Sequence, residues 1–320
     1  MADVRRAARE WLVELAVLPG PYLVALSGGG DSLALAWAVS REAPAAGVRL
    51  GAVVVDHQLQ AGSAAVAQRG ADMASGFGLS PVLVKTVTVG SDGGPEEAAR
   101  LARYEAFREA MKETGATGVL LAHSQDDQAE TMVLGLARGS GPSALKGMAP
   151  RHDVFHRPFL TLPRATLRAA LIDAGIDWWE DPHNSDERYA RVRVRNTVLP
   201  VLEKELGPGV SESLARTAEL FRQDSEALDA LARTFFLAHR EEHGPGRHSL
   251  NVALLLGEPA AIHTRALRML VASVGGKPPT YAHMGHILTL LHRWKGQSAL
   301  NLPGATLERR DGTMYASFVA

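Results

Sequence analysis

A run of small and polar residues follows the first apolar segment of the chain and has the composition of an anion-binding loop. Tyr22–Leu26 is apolar and of strand length, residues 27–32 read Ser-Gly-Gly-Gly-Asp-Ser, and residues 33–39 continue with apolar residues that suit a buried helix. Glycines allow a phosphate to approach the backbone, and the free N–H groups of a helix start attract an anion. Asp31 fits beside a phosphate when a divalent cation lies between them. The alternative is a glycine-rich turn that only caps a core helix.

The densest group of ionisable side chains follows the fourth apolar segment. His123, Asp126, Asp127 and Glu130 lie within eight residues, at the expected start of a helix. Asp127 and Glu130 are three residues apart, so they share a helix face and their carboxylates can converge on one cation or ammonium group. Asp126 points away from that face and can turn toward the metal of the first loop. Taken singly, each acid has the alternative role of a charge cap at the helix N-terminus.

Two further polar groups carry weaker signals. Asp56 and His57 end a second apolar strand, where they either contact an adenosine or cap the next helix. Arg100, Arg103 and Phe107 lie on neighbouring turns of one helix. Exposed arginines on a helix ordinarily face solvent, so spacing alone gives Arg103 no function.

Strands and helices alternate through the first half of the chain and must position these loops. Apolar strands are predicted at 22–26, 50–56, 82–89 and 118–122, and the helices that follow them include 64–77, 96–113 and 125–138. The alternation predicts a parallel, doubly wound α/β sheet. Ligands of such sheets lie beyond the carboxyl ends of the strands where the strand order reverses, which we expect between the first and fourth strands. The loops at 27–32, 56–57 and 123–127 would meet there.

Beyond residue 150 the pattern becomes mostly helical. After an N-terminal helix at 4–18, the later helices are predicted at 163–175, 189–205, 209–239, 260–274 and 281–294. A polar linker is expected at 241–248, and the chain ends in a hairpin whose turn is Asp311-Gly312. We therefore expect a catalytic domain over 1–205, a helical connector over 206–246 and a small α+β domain over 247–320.

The composition excludes several kinds of site. A chain of 320 residues that is 46% hydrophobic is long enough for two or three domains, and the absence of cysteine excludes disulfides, cysteine-bound metals and thiol-based sulfur transfer. With 34 Lys and Arg against 35 Asp and Glu, the net charge of −1 offers no overall attraction for nucleic acid, so local basic patches must hold such a partner. No apolar run reaches the roughly 20 residues that a bilayer requires, and the N-terminus lacks a signal-peptide core. We expect a cytoplasmic protein with no membrane partner.

The motifs of the first two hundred residues resemble those of a known enzyme family. The first loop resembles the SGGxDS loop of the ATP-pyrophosphatases, which cleave ATP between the α and β phosphates, and it lacks the signatures of the two commoner nucleotide loops. Over residues 22–205 the chain is similar to the tRNA(Ile)-lysidine synthetases. The motifs that carry this resemblance lie at 27–32, 55–57, 99–107, 121–131, 138–148, 157–167 and 179–200.

The resemblance implies an adenine nucleotide alpha hydrolase-like sheet and a two-step ligation. With ATP and Mg²⁺ as cofactors, AMP is attached to the carbon-2 oxygen of the wobble cytidine of isoleucine tRNA, and the ε-amino group of free L-lysine then displaces it. The implied ATP ligands are Ser27, Gly28, Gly29, Gly30, Asp31, Ser32, Asp56, His57 and Arg103. The implied metal ligands are Asp31 and Asp126, the lysine ligands are Asp127 and Glu130, and the catalytic residues are Asp31, His123, Asp127 and Arg195. His123 serves as a proton acceptor or as a phosphate contact.

A basic segment near the end of the family match predicts the tRNA contact. Arg188, Arg191 and Arg195 follow i, i+3, i+7 spacing, which predicts one basic helix face, although a solvated surface is the ordinary alternative. Arg195 can also turn inward to the reacting phosphate. The C-terminal residues expected to help grip the tRNA are Arg265, Arg268, His283, His286, Arg293, Arg309 and Arg310.

Two departures from the family pattern and two alternative functions accompany this interpretation. The family commonly has Gly and Arg at Gln58 and Gln60, and a second His at Ser124. GMP synthetases and cysteine-dependent tRNA thiolases are disfavoured because the chain has neither a glutaminase domain nor cysteine. A catalytically idle nucleotide sensor or RNA-binding protein is the alternative from another class, and the intact acidic cluster argues against it. The sequence leaves the oligomeric state open and allows a homodimer.

Overall fold

The computed structural model describes residues 1–18, 20–58, 62–88, 90, 95–139, 142–180 and 185–319. They form two compact units, Met1–Glu219 and Leu220–Ala320. The predicted fold class is confirmed: a mainly parallel sheet with flanking helices, then a helical stretch and a small domain with an antiparallel sheet. The finer division at 205/206 and 246/247 stays a prediction.

The first unit is built on a six-stranded sheet of order β3-β2-β1-β4-β6-β5. All neighbouring pairs are parallel except β5 with β6. Strand β1 lies between β2 and β4, which confirms the predicted point of strand-order reversal. The strands are β1 (Tyr22–Leu26), β2 (Leu50–Asp56), β3 (Val82–Thr86), β4 (Gly118–Leu120), β5 (Arg151–His152) and β6 (Phe155–His156).

Helices cover both faces of this sheet. The long apolar run after the glycine loop forms α2, which packs against α1 and α7 and buries residues on every side. A helix buried in this way shows no polar stripe, which explains its nearly continuous apolar sequence. The helices of the first unit up to residue 173 are α1 (Ala2–Ala16), α2 (Gly30–Ala46), α3 (Ser63–Gly76), α4 (Pro95–Thr114), α5 (Gln125–Ala137), α6 (Pro142–Leu145) and α7 (Arg164–Asp173).

The single helix predicted over 189–205 is interrupted. The chain forms α8 (Ala190–Arg193), a π-helical turn at Val194–Val198, and α9 (Leu199–Leu206). Pro200 is the second residue of α9, and the wide turn before it accommodates a residue that lacks an N–H and would crowd the preceding turn. Arg188 precedes α8 altogether. The prediction that Arg188, Arg191 and Arg195 share one helix face is therefore wrong.

The second unit contains a five-stranded antiparallel sheet of order β7-β8-β11-β10-β9. Its strands are β7 (Glu241–Glu242), β8 (Arg247–Asn251), β9 (Leu300–Leu302), β10 (Ala305–Arg310) and β11 (Thr313–Phe318). Its helices are α10 (Val210–His239), which begins in the first unit, α11 (Val252–Gly257), α12 (Ala260–Ser273) and α13 (Tyr281–His292). Apolar residues of these helices and of the inner sheet face form one core.

The predicted hairpin turn of this unit is confirmed, and the predicted linker is not. Asp311 and Gly312 have φ angles of 48° and 74°, as a two-residue hairpin turn requires, and they join β10 to β11. The segment 241–248, however, is not a linker. It forms most of the β7–β8 hairpin, whose polar sequence reflects a short, exposed edge strand.

Three C-terminal arginines that the sequence predicts to help grip tRNA make contacts within their own unit. Arg265 Nε donates to Asp229 Oδ1 at 2.7 Å, and Arg268 donates to the carbonyl of Pro279 at 2.8 Å. Arg309 donates to the last carbonyls of α13, which satisfies groups that a helix end leaves open. A role of these three arginines in tRNA binding stays a prediction.

No helix in the described parts of the chain has the length and apolarity to cross a bilayer.

Candidate active site

A cleft of about 480 Å³ opens at the carboxyl ends of β1, β2 and β4 in the first unit. It brings together the three loops that the sequence predicts. The predicted site residues that line it are Ser27, Gly29, Gly30, Asp31, Ser32, Asp56, His57, Arg103, His123, Asp127, Arg191 and Arg195. Gly28, Asp126, Glu130 and Arg188 lie outside its lining.

The glycine loop presents a helix start to this cleft. Gly28 has a φ of 79°, a conformation that favours glycine, and Gly29 is the residue that precedes α2. Ser32 Oγ donates to the Gly29 carbonyl at 2.8 Å and lies 3.2 Å from the backbone nitrogen of Ser27, which closes the loop. The first-turn N–H groups of α2 have no acceptor within their helix, so they are available to an anion.

The loop after β2 holds a neutral histidine against an arginine. Asp56 Oδ1 accepts from the Gln58 N–H at 2.9 Å, and Arg103 Nε donates to His57 Nε2 at 3.2 Å. Burial lowers the pKa of His57 to about 4, and Arg103 adds to this effect. His57 Nδ1 therefore carries the ring proton, and this nitrogen is buried without a partner among the described residues. It offers a donor to a ligand in the cleft.

The departures from the family pattern have local explanations. Gln58 has a φ of 54°, the left-handed region where glycine is favoured, which accounts for the glycine that the family commonly has there. Ser124 caps α5 in a reciprocal arrangement with Asp127, whose Oδ2 accepts from the Ser124 backbone N–H at 2.8 Å. Gln60 lies outside the described residues.

The Asp127 and Glu130 carboxylates converge on one cation, but that cation belongs to the chain itself. Arg164 Nη2 donates to Asp127 Oδ1 at 3.0 Å and to Glu130 Oε1 at 3.3 Å, while its Nε donates to Asp31 Oδ2 at 3.0 Å. Burial opposes the charge of Arg164, yet these carboxylates outweigh it and raise the pKa of the guanidinium above its ordinary value. One side chain thus joins the glycine loop to both predicted lysine ligands.

Glu130 is enclosed by guanidinium groups. Its side chain is fully buried, at 0% exposure, and Arg164, Arg191 and Arg195 all reach it, the closest contact being Arg195 Nε to Glu130 Oε1 at 2.6 Å. Arg191 also donates to Thr131 Oγ1 at 2.9 Å. Glu130 therefore orients these three arginines, and with Arg164 in place it presents no exposed surface to the cleft.

His123 is a neutral hydrogen-bond donor toward the cleft. Arg157 Nε donates to its Nδ1 at 3.2 Å, so Nε2 carries the ring proton. Burial lowers the pKa of His123 to about 3, with Asp127 opposing the effect and Arg157 adding to it. Burial alone would raise the pKa of Asp127, but Arg164 and the hydrogen bond from the Ser124 backbone lower it below its ordinary value. Asp127 is an ionised carboxylate at neutral pH.

The two predicted metal ligands have different surroundings. Asp126 Oδ2 accepts from the backbone N–H of Arg164 at 2.7 Å, so it caps the start of α7. Asp31 Oδ1 is buried and has no hydrogen-bond partner in the described parts of the chain. Burial raises the pKa of Asp31, and Arg164 only partly offsets this. No three His, Asp or Glu side chains of the described residues are grouped as a closed metal site would need.

Arg188 points away from the cleft. Its side chain is 84% exposed and forms a two-pronged pair with Asp186, with Nη2 to Oδ2 at 2.7 Å. Arg191 and Arg195 instead turn into the cleft, as the sequence allowed for Arg195.

Sequence reasoning assigned no role to three residues of this site. Arg164 and Arg157 lie in a recognised motif, but their side-chain partners Asp31 and His123 are 133 and 34 residues away in the chain, and spacing cannot reveal such contacts. Trp178 packs its ring over the glycine loop, where a Cβ on Gly30 would lie 3.3 Å from it. The pair of tryptophans at 178–179 was the available signal.

Comparisons with known proteins cover both units. The family model of the PP-loop domain matches residues 8–202, and that of the TilS substrate binding domain matches residues 250–315. The tRNA(Ile)-lysidine synthase of Leifsonia xyli subsp. xyli is 51% identical over 292 residues, which are 91% of this chain and 88% of the relative. That of Thermobifida fusca is 46% identical over 320 residues, which are 99% of this chain and 97% of the relative.

A solved structure supports the fold alone. The U34-tRNA thiolase NcsA from Methanococcus maripaludis with its [4Fe-4S] cluster has a TM-score of 0.56 and 17% identity, covering 69% of this chain and 79% of that chain. Our chain contains no cysteine that could ligate such a cluster. Together, the two family models and the high identity over nearly the whole chain show that it belongs to the tRNA(Ile)-lysidine synthase family.

Proposed function

We propose that this chain uses ATP to join free L-lysine to the wobble cytidine of isoleucine tRNA, giving lysidine, AMP and pyrophosphate. Membership of the tRNA(Ile)-lysidine synthase family supports the reaction. The observation that carries the residue assignments is the acid pair Asp127 and Glu130, which meets a cation beside an anion-binding glycine loop. A reaction between a polyphosphate and a diamine needs both features in one cleft.

The first step forms a bond between the carbon-2 oxygen of cytosine and the α-phosphorus and breaks the bond from that phosphorus to the pyrophosphate. The glycine loop and α2 cradle the leaving phosphates with backbone N–H groups, which act best where the negative charge develops. His123 donates from Nε2 to a phosphate oxygen rather than accepting a proton. Arg195 faces the same cleft and offsets charge on the α-phosphate. His57 and Arg103 contact the adenosine.

The second step forms a bond between the lysine ε-nitrogen and carbon 2 of cytosine and releases AMP. The ionised Asp127 holds the ammonium form of the incoming amine, which must release one proton to the solvent before it attacks. Glu130 lies outside the cleft lining and adds the second negative charge of the acid pair. The exposed basic residues of the chain, Arg188 among them, hold the tRNA backbone.

The residues around Asp31 fit a magnesium ion. Its buried Oδ1 lacks a partner among the described residues, and Mg²⁺ in nucleotide sites is commonly bound by one or two carboxylates together with substrate phosphates. When bound, the ion neutralises charge on the departing pyrophosphate. Asp126 contributes less directly because its Oδ2 already caps α7. We place the reaction in the cytoplasm, where tRNA, ATP and free lysine are all available.

A product analysis tests this function. The protein is incubated with Mg²⁺, ATP, labelled lysine and a transcript of isoleucine tRNA with cytidine at the wobble position; a transcript with uridine there is the control. We expect lysine on the first transcript only, with AMP and pyrophosphate in equal amounts. Asp31→Asn should lower pyrophosphate release at least about a hundredfold. Formation of ADP, or ATP binding with no release of pyrophosphate, would favour a different phosphate chemistry or an idle nucleotide sensor.

A further inference from the structure

Arg164 occupies the position that the proposed function gives to the substrate ammonium. Its guanidinium bonds to both Asp127 and Glu130, and its side chain is only 12% exposed. We propose that Arg164 is an internal occupant of the lysine subsite, and that ATP must draw it away before lysine binds. This inference rests on the proposed function and adds an order of binding to it.

The charges of the site favour such an exchange. Four carboxylates, those of Asp31, Asp126, Asp127 and Glu130, lie around Arg164, and two further guanidiniums, of Arg191 and Arg195, reach Glu130. A second cation added to the acid pair while Arg164 remains would meet its positive charge at close range. One cation replacing another leaves the balance unchanged. A lysine ammonium therefore competes with Arg164 rather than joining it.

Arg164 can leave without a movement of the backbone. Its N–H is held by Asp126 at 2.7 Å at the first residue of α7, so the main chain is a fixed pivot. The side chain also lines the cleft beside the glycine loop, where the phosphates of ATP are expected. A guanidinium pairs well with phosphate oxygens through two parallel hydrogen bonds. The triphosphate thus offers Arg164 new hydrogen-bond partners in place of the acid pair.

This order of binding has a chemical use. Without nucleotide, the acid pair is filled and the reactive amine is kept out of the cleft. Once ATP is seated, the subsite becomes available and the amine enters beside a phosphate that is already in position. Arg164 is in this sense a positioning residue that links the two substrate sites.

Calorimetric titration of lysine into the full chain tests the proposal. Lysine is titrated with Mg²⁺ present, first without nucleotide and then with α,β-methylene-ATP, which cannot be cleaved between the α and β phosphates. For the unaltered protein we expect lysine to bind at least about tenfold more tightly when the analogue is present. By linkage, lysine should tighten binding of the analogue by the same factor. Arg164→Gln should bind lysine without nucleotide, with a ratio near one.

Two further variants keep the test decisive. Arg164→Lys retains a charge in the subsite, so its ratio should stay above one even where Arg164→Gln fails to fold. Arg108→Gln removes a surface arginine that pairs with Asp153 outside the cleft lining, and it should keep the ratio of the unaltered protein. A ratio near one in the unaltered protein, or an unchanged ratio in Arg164→Gln, would overturn the proposal. So would an absence of lysine binding in every state, although lysidine formation in the product analysis would then still support the function.

Discussion

At the scale of single residues, the site contains charges that spacing could predict and partners that it could not. The i, i+3 relation of Asp127 and Glu130 correctly placed two carboxylates on one cation. The identity of that cation depends on Arg164 at the start of α7, whose side chain reaches Glu130 of α5, 34 residues away along the chain. Sequence periodicity reports only the neighbours within one helix. For the same reason, the burial of Glu130 beneath three arginines could not be predicted from the sequence.

Glu130→Ala should destabilise the first unit because it leaves three guanidiniums around an empty, buried position. Removing one partner of a buried ion pair typically costs about 3–5 kcal/mol. Urea unfolding measures this loss. The matched control is Glu14→Ala, which breaks an exposed pair with Arg151 and should cost no more than about 1 kcal/mol. Equal effects of the two substitutions would contradict the role of Glu130 as the centre of the arginine cluster.

His156 should make the first unit less stable in mild acid. It is buried against the rings of Trp11 and Tyr22, and burial lowers its pKa to about 4. Below about pH 6.5 the His156 imidazole binds a proton in the unfolded chain but not in the folded chain. The free energy of unfolding therefore falls as the pH drops from about 6.5 toward 4.

The loss attributable to His156 at pH 5.5 should be on the order of 1 kcal/mol. Urea unfolding at pH 7.5 and 5.5 measures it, and His156→Phe should remove that share of the pH dependence. The same substitution at the exposed His152 is the control. A His156→Phe protein with the full pH dependence would show that other groups account for it.

At the scale of elements, the sequence predicts what is long and buried and misses what is short or exposed. The four parallel strands β1 to β4 alternate with helices and carry apolar runs, so they could be predicted from the sequence. Strands β5 and β6 have two residues each, too few for any periodicity. The β7–β8 hairpin was missed because its polar composition is that of a linker. The interruption of the helix before Pro200 was missed although the proline was the available signal, because a proline shows that a helix can break without showing that the break takes the form of a π-helical turn.

Gly30→Ala should loosen the contact between the glycine loop and Trp178. An added Cβ would lie 3.3 Å from three ring atoms of Trp178, so the ring must shift by a few tenths of an ångström against the hydrogen bond that holds its Nε1 to Glu180 at 2.8 Å. We expect a loss of stability of about 1–2 kcal/mol and weaker ATP binding. Gly76→Ala is the control, because its Cβ meets open space at the end of α3. It should be neutral or slightly stabilising.

At the scale of the whole molecule, a chain with a net charge of −1 must bind a polyanion through selected surface groups. The structure divides the C-terminal arginines into internal and external ones. Arg309 is bonded to the end of α13, whereas the neighbouring Arg310 is 61% exposed. Neighbouring side chains of a strand point to opposite faces of the sheet, so Arg309 and Arg310 of β10 face opposite ways. A count of charges along the sequence does not separate them.

The adjacent pair Arg309 and Arg310 therefore gives a direct test of tRNA contact. If Arg310 contacts a phosphate, Arg310→Ala should lower the slope of log affinity against log salt by about one unit without changing stability. Arg309→Ala should destabilise the second unit and leave the slope unchanged. Filter binding over a range of salt concentrations, with urea unfolding in parallel, measures both. A slope that changes only in Arg309→Ala would reverse the assignment.

The tryptophan pair beside the glycine loop makes nucleotide binding visible by spectroscopy. Trp178 packs on Gly30, and the backbone N–H of Trp179 donates to the Gly28 carbonyl at 3.3 Å. Indole emission responds to nearby charge and to exclusion of water, so a triphosphate arriving at this loop should shift the intrinsic fluorescence of the protein. The chain has five tryptophans, and the signal should vanish in a Trp178→Phe, Trp179→Phe double variant while Trp294→Phe retains it. The enzyme thereby carries its own optical probe, with which the rate of ATP arrival can be followed without a label.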